Sequence, residues 1–280
     1  ALSLLLTTYL HVKSKEKLDS VLYSEGQRYK DVFVSSLQSR LHALDRMAIR
    51  FEDENVDNKV LWNKDARSYI QHFSGLQAIE WVNSDSIVKW VYPLKGNEEI
   101  LGVNLENETR RKSAIIESVK NQSGALSKAI NLQQGDKGFL SIHPTYKENT
   151  LSGFIIGVYN AEEILSKIVT NVYSEIKINE ESVYKNKNMT DKFLEDHKLL
   201  KQNFKFNIRN ISISLTYLPS LNLINTIEVD NEYSLLIVLF LFSLFFSWSA
   251  YFVLKNQHTL SLFNRRFIML TEAIDKTALI

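Results

Sequence analysis

From Leu18 onward, apolar side chains recur three, four or seven positions apart: Leu18, Leu22, Tyr29, Phe33, Leu37, Leu41, Leu44, Ala48 and Phe51. That spacing lays one apolar face along a long helix, with Lys, Glu, Asp, Gln and Arg on the other. After Asp57 the pattern changes. Residues 63–73 read as a second helix, with Leu61, Trp62, Ala66, Tyr69, Ile70 and Phe73 on one side. Short strand-like runs follow at 76–82, 87–92, 100–103, 128–132, 138–143 and 153–159, separated by glycine and polar turns as antiparallel sheets require. Two helices interrupt them: 107–121, with Ala114, Ile115 and Val119 inward and Arg110, Arg111 and Lys112 outward, and 161–170. A weaker strand set lies at 176–178, 182–184, 204–207 and 211–217, the last alternating cleanly from Ile211 to Tyr217. Strands, a helix and strands again, twice over, predict an α+β fold of two small sheet lobes on one stalk.

The two ends are different in kind. Tyr233 to Leu254 is 22 residues without a charge, about the length needed to cross the ~30 Å hydrocarbon layer of a bilayer. Tyr233, Trp248 and Tyr251 suit its interfaces. Residues 1–12 are also charge-free, too short to span alone, and read as the outer end of a first membrane helix or the remainder of a signal peptide. The tail beyond Leu254 carries Lys255, Arg265, Arg266 and Lys276 against Glu272 and Asp275, which marks it as the cytoplasmic side. The predicted layout is therefore: 1–12, end of a membrane helix; 13–56, stalk; 57–170, membrane-distal lobe; 171–232, membrane-proximal lobe; 233–254, membrane helix; and 255–280, a cytoplasmic linker helix. The sheet region is placed outside the cell membrane. The stalk either lies along its own domain or pairs with a second copy; both uses fit different turns of one helix, and a homodimer is expected.

Composition narrows the function. A net charge of +1 gives no broad electrostatic case for nucleic acid. No cysteine means no disulfide framework, thiolate site or cysteine nucleophile. The six histidines form no helical i,i+4 pair, so no metal is expected, and no phosphate-loop, dinucleotide or nucleophile-elbow motif calls for a cofactor. Gly135 to Gly138 reads as a hairpin turn.

One ordered series of short motifs is informative. Glu80-Trp81-Val82, Lys89-Trp90-Val91-Tyr92-Pro93-Leu94, Gly96-Asn97-Glu98, Gly102 and Asn104-Leu105 come first. Arg110-Arg111, Leu126-Ser127, Leu132 to Gly135, Gly138-Phe139-Leu140, Pro144-Thr145-Tyr146 and Gly153 to Tyr159 follow in order. The series, over about residues 60–170 and more loosely to Pro219, resembles the CHASE sensory domain of bacterial transmembrane receptors. The resemblance implies a long N-terminal helix carrying two PAS-like lobes, with a ligand pocket in the distal one. It also implies a cytoplasmic histidine kinase or cyclic-di-GMP enzyme as the output domain, beyond this chain. Plant relatives grip adenine-derived cytokinins with a strand aspartate just before the proline. Lys89 stands there, and a cationic lysine cannot accept a hydrogen bond, which argues against an adenine-type ligand and for an anionic or carbonyl-bearing small molecule.

Candidate ligand contacts are the aromatics Trp81, Trp90 and Tyr92 and the polar groups Glu80, Lys89, Ser141 and Tyr159. Asn97 reads as a turn former. Alternation along a strand sends Lys89 and Val91 to one side and Trp90 and Tyr92 to the other, with the pocket side undetermined. The competing readings are an anchored hydrolase, which would need paired carboxylates or a nucleophile–base pair, and a module that binds a periplasmic protein.

Overall fold

A computed structural model describes residues 2–53, 59–132, 137–168, 172–186, 200–219 and 221–277, together with Glu195. Its contacts divide the chain into two units. One, Glu16–Ser220, holds all the strands; the other comprises residues 1–15 and 221–280.

In the strand-bearing unit, helix α1 (Leu2–Asp53) supplies its residues from 16 onward, followed by α2 (Lys59–His72). The first sheet, labelled distal after the layout expected from the sequence, has the order β2 (Val88–Tyr92), β1 (Leu76–Asn83), β6 (Thr150–Asn160), β5 (Lys137–Lys147), β3 (Ala125–Leu126), with β4 (Ile130–Asn131) also pairing with β5. Helix α3 (Thr109–Lys120) lies between β2 and β3 in sequence, and α4 (Ala161–Ile168) follows β6. The proximal sheet has the order β8 (Glu181–Lys185), β7 (Val172–Ile178), β10 (Ile211–Pro219), β9 (Gln202–Ile208). Every pairing is antiparallel. This is the α+β, two-sheet architecture expected from the alternation. The hairpins β5–β6 and β7–β8 close through Glu148-Asn149 and Asn179-Glu180, all four at positive φ, the backbone whose twist matches that of the flanking strands.

The apolar face of α1 is buried as its spacing predicts: Leu22, Tyr29, Phe33, Leu37, Leu41, Leu44, Ala48 and Phe51 are all inside, and Leu18 is half-buried. Its lower turns pack on the proximal sheet, where Tyr29 lies 5.8 Å from Tyr217 and Phe33 6.2 Å from Phe206, ring to ring. Gly26 permits the approach, because a Cβ there would sit 2.8 Å from the Phe204 ring. Its upper turns pack on the distal sheet, where Leu44 lies over Gly157. One core row thus runs under both sheets.

Two expectations are corrected. The run 100–103 is not a strand: residues Glu98–Ile100 form a single 3-10 turn, and Gly102 at φ +78° returns the chain so that Gly102 N donates to Val88 O and Val88 N to Val103 O. A run of four residues with a glycine at positive φ inside it has no length for a ladder. Second, Arg111 does not face outward, as set out below. The turn expected at 135–138 lies outside the described residues, apart from Lys137 and Gly138, which open β5.

In the other unit, α5 (Leu221–Thr277) is one continuous helix. Within it, Ile237–Thr271 is long and apolar enough to cross a membrane, its most apolar 18-residue stretch having a mean hydropathy of 2.2 and no buried side chains. The expected end of a first membrane helix falls at 1–12, where the side chains of 1–7, 10 and 11 lie outside the described residues.

Candidate ligand-binding site

The distal sheet buries both of its faces, so its side-chain alternation sorts residues between two different environments. On the α1–α2 side lie Ile79, Trp81, Phe139, Ile155 and Tyr159. On the other lie Val82, Val88, Leu140, Ile142, Phe154 and Ile156, capped by Ala114 and Ile115 of α3.

Most of the sequence-predicted site residues fall on the first side or at the edge. Trp81 packs between Phe51 and Trp90, at 5.5 and 6.1 Å, and Trp90 meets Trp62 at 5.7 Å. The Tyr92 hydroxyl accepts a 3.0 Å hydrogen bond from Arg67 Nε of α2. Tyr159 is stacked on Phe139 at 5.2 Å; burial pushes its hydroxyl well above the usual tyrosine range, so it stays protonated. Ser141 is fully buried beside it under α1. Lys89 is exposed, in the bulge where Val88 pairs with Val82 but Trp90 already pairs with Trp81. These six build the helix-side core and the sheet edge.

Glu80 alone of the seven points the other way. It lines a cavity of about 90 Å³ between the sheet, α3 and the loop after Pro93, shared with Arg111, Gln77, Asn97, Leu140 and Val158. That is well above the ~10–15 Å³ a single water needs on this measure. Asn97 serves both the turn, donating 2.9 Å to Pro93 O, and the cavity wall. The Glu80 carboxyl is 6% exposed and has no hydrogen bond or ion pair among the described residues. Burial pushes it from 4.5 up to about 7, against a smaller opposing pull from Arg111. A buried ionisable group with a raised pKa, lining a cavity without a hydrogen-bond partner, marks a functional-site candidate.

Arg111 is placed by the start of α3. The Glu108 carboxylate caps that helix, accepting from Arg110 N at 3.3 Å and Arg111 N at 3.2 Å. Its Oε2 lies 3.4 Å from Arg111 Nε, too poorly aligned for a hydrogen bond, and that Nε is buried without an acceptor. Arg111 stands three and four positions before Ala114 and Ile115, the two residues that bury α3; that helical spacing is the signal that puts it on the inner side. Its neighbour Arg110 points elsewhere. It donates to Ala129 O and pairs with Glu181 of β8 at 2.9 Å, a carboxylate also met by Lys137 at 3.3 Å.

A larger, open groove of about 570 Å³ lies between α1, β5 and the β9–β10 turn. Three of its ionisable side chains are already joined to one another. Asp45 of α1 meets buried His143 Nδ1 at 2.7 Å through one oxygen and Arg209 through the other, and Arg209 also donates to Gly124 O at 2.9 Å. Burial works against the Asp45 charge, but the hydrogen bonds and charges of His143 and Arg209 outweigh it and hold the carboxyl at about 2. Burial lowers His143, outweighing the opposing hydrogen bond and charge of Asp45. Next to this node, Asn210 accepts from Leu126 N at 2.7 Å and donates to Leu126 O at 2.9 Å, fixing the proximal turn to β3. The groove therefore reads as a joint between the sheets, and the small cavity as the place for a ligand.

Among solved structures, the chain is similar to the ligand-binding domain of the Pseudomonas aeruginosa amino acid chemoreceptor PctB in complex with L-Arg (9% identity, 74% of this chain and 97% of that one, TM-score 0.54). It is similar also to that of the Pseudomonas fluorescens chemoreceptor CtaA in complex with L-serine (12% identity, 74% and 99%, TM-score 0.52). It spans 39% of the length of an extracellular ligand binding receptor from Desulfohalobium retbaense, with 13% identity over 71% of this chain and a TM-score of 0.48. At such identities the likeness is one of fold. No curated protein matches the sequence. The CHASE domain family matches residues 64–194, a span that contains the cavity, both of its charged groups and the helix that caps it. Over residues 64–194 the chain is therefore similar to the CHASE domain, the family that the ordered motifs resemble.

Proposed function

We propose that this chain is the receiving part of a transmembrane receptor, in which the cavity beneath α3 binds a small molecule outside the cell and α5 carries the response across the membrane. The observation that supports this most is Glu80: a buried carboxyl raised to about 7, with no hydrogen-bond partner among the described residues and lining a small cavity, costs stability when ionised unless something arrives to meet it. Two of the proteins similar in fold are in complex with amino acids, the CtaA domain with L-serine and the PctB domain with L-Arg.

In this reading residues 57–170 are the membrane-distal, ligand-binding lobe and 171–232 the proximal one. The α1 side chains left exposed, such as Tyr23 and Val32, are the face for a second copy of the chain. Residues 1–12 end a first membrane helix, and a histidine kinase or cyclic-di-GMP enzyme beyond Ile280 is the output. A response needs only two packed arrangements a few kcal/mol apart.

Thermal melting of the full chain in detergent micelles tests the reading, using a panel of amino acids, carboxylates, amines, sugars and purines. A ligand at a hundred times its Kd stabilises by about 2.7 kcal/mol, several degrees of Tm. A stabilising compound recovered intact supports the receptor. One that is consumed makes the site hydrolytic, and a panel without any effect removes the small-molecule reading in favour of a protein partner.

A further inference from the structure

Resting on the receptor reading, we propose that the cavity beneath α3 takes a compact zwitterion, its ammonium against Glu80 and its carboxylate against Arg111.

The charges dictate this class. Glu80 and Arg111 both face the cavity, yet no ion pair joins them within 4 Å; among the described residues Arg111 is ion-paired only with Glu108, at 3.4 Å and without a hydrogen bond from its Nε. Two opposite charges that line one small space without meeting leave a gap that a molecule carrying both charges completes. A simple anion would satisfy Arg111 and press its charge on Glu80; a simple amine would do the reverse. A neutral sugar or purine satisfies neither. Gln77 and Asn97 add amide groups for hydrogen bonds. The apolar wall of Leu140 and Val158 leaves room for a short aliphatic stem between the two charged ends.

Occupation also moves a proton. Val91 and Ile156 stand opposite Glu80 on its two neighbouring strands, and α3 contributes Arg111. Arg111 is the one charged group lining the cavity with Glu80 among the described residues. Empty, the site holds Glu80 half-protonated near neutral pH; an arriving ammonium requires the carboxylate, so the proton leaves the Glu80 oxygen for solvent. Affinity therefore rises about tenfold per pH unit up to roughly 7 and levels off above it.

Isothermal titration of the full chain in micelles, with α-, β- and γ-amino acids, tests this. Each is compared with its N-acetyl form, which lacks the ammonium, and its amide, which lacks the carboxylate. The expected result is binding by at least one free amino acid and by neither derivative, with a binding heat that depends on the buffer's ionisation enthalpy at pH 6.5. Glu80→Gln and Arg111→Gln, shown to be folded by circular dichroism, are each expected to weaken it about 30-fold or more; Glu80→Gln also abolishes the pH dependence. A derivative that binds as well as its parent, or a sugar, purine or simple acid that binds where amino acids do not, overturns the zwitterion and leaves the receptor standing. Amino-acid binding that is untouched by Glu80→Gln places the ligand elsewhere and overturns the assignment of this cavity.

Discussion

Replacing Glu80 by glutamine should make the empty protein more stable, and only at the upper end of the pH scale. Burial raises the folded carboxyl from 4.5 to about 7. Between those values the folded state holds a proton that the unfolded chain has released, so stability falls as pH rises through the window, and the loss is complete above 7. At about 1.36 kcal/mol per pKa unit, this amounts to about 3 kcal/mol. Glutamine is neutral at every pH and mimics the protonated acid in shape. At pH 4.5 the variant and the parent share any cost of a buried, unpaired polar group, and they should melt together. At pH 8 the variant escapes the ionisation cost, which for a unit of this size corresponds to roughly 6–12 °C in Tm. The readout is tryptophan fluorescence during thermal unfolding of the full chain in micelles, without ligand, at the two pH values. Every other titration is common to both proteins, so the difference of differences isolates position 80. A gap that stays the same at pH 4.5 and 8, or that grows toward acid, refutes the claim that Glu80 is buried and unpartnered.

Other perturbations probe the scaffold. Asp45, held at about 2 by His143 and Arg209, contributes about 2 kcal/mol that is present above its ordinary value of 3.8 and lost as pH falls through 2. Asp45→Asn should lower Tm at pH 7 and flatten the acid limb of the stability curve between pH 4 and 2; an unchanged acid limb would count against the node. Asn210→Ala removes both bonds to the Leu126 backbone and should cost about 1–3 kcal/mol. Hydrogen exchange at β3 should accelerate with it, and protection equal to the parent's would contradict the clamp. At Gly153 a Cβ would lie 2.3 Å from Val82 O and 2.8 Å from the Trp81 ring. Gly153→Ala should therefore destabilise by about 1–3 kcal/mol through overpacking at the β1–β6 pair, read as a lowered urea midpoint.

The elements were legible where one face of each is buried. The α1 row from Leu22 to Phe51 and the alternation from Ile211 to Tyr217 are both found as read, because a single wet side forces the period into the sequence. The distal sheet is different. Both of its faces are dry, so alternation separates Glu80 and Val82 from Ile79 and Trp81 without telling which set meets a helix and which a cavity. Tryptophan and tyrosine drew attention as ligand contacts, yet their bulk is what α1 and α2 need to pack against. Lys89 could be aligned with a family position but not with a direction, since the bulge at Val88–Trp90 resets the alternation there. Arg111 was hidden by its company: three consecutive basic residues read as a wet face, although its spacing to Ala114 and Ile115 already assigned it to the dry one. The Asp45–His143–Arg209 contact joins residues 98 and 164 positions apart, a separation over which no local pattern speaks.

Arg110 and Arg111 are neighbours in sequence that work in different places, one on Glu181 in the proximal sheet and one at the cavity. On a helix of 3.6 residues per turn their side chains diverge by about 100°, so the phase of α3 alone decides which arginine does which job. A single-residue insertion or deletion between the Glu108 cap and Arg110 would hand the cavity the wrong neighbour while keeping the composition, the helix and both positive charges. Repertoire in this part of the molecule is therefore open to substitution and closed to changes of length: the ligand can be altered by exchanging residues around Glu80, but the frame of residues 108–115 must be inherited intact for the two sheets to answer to the same helix.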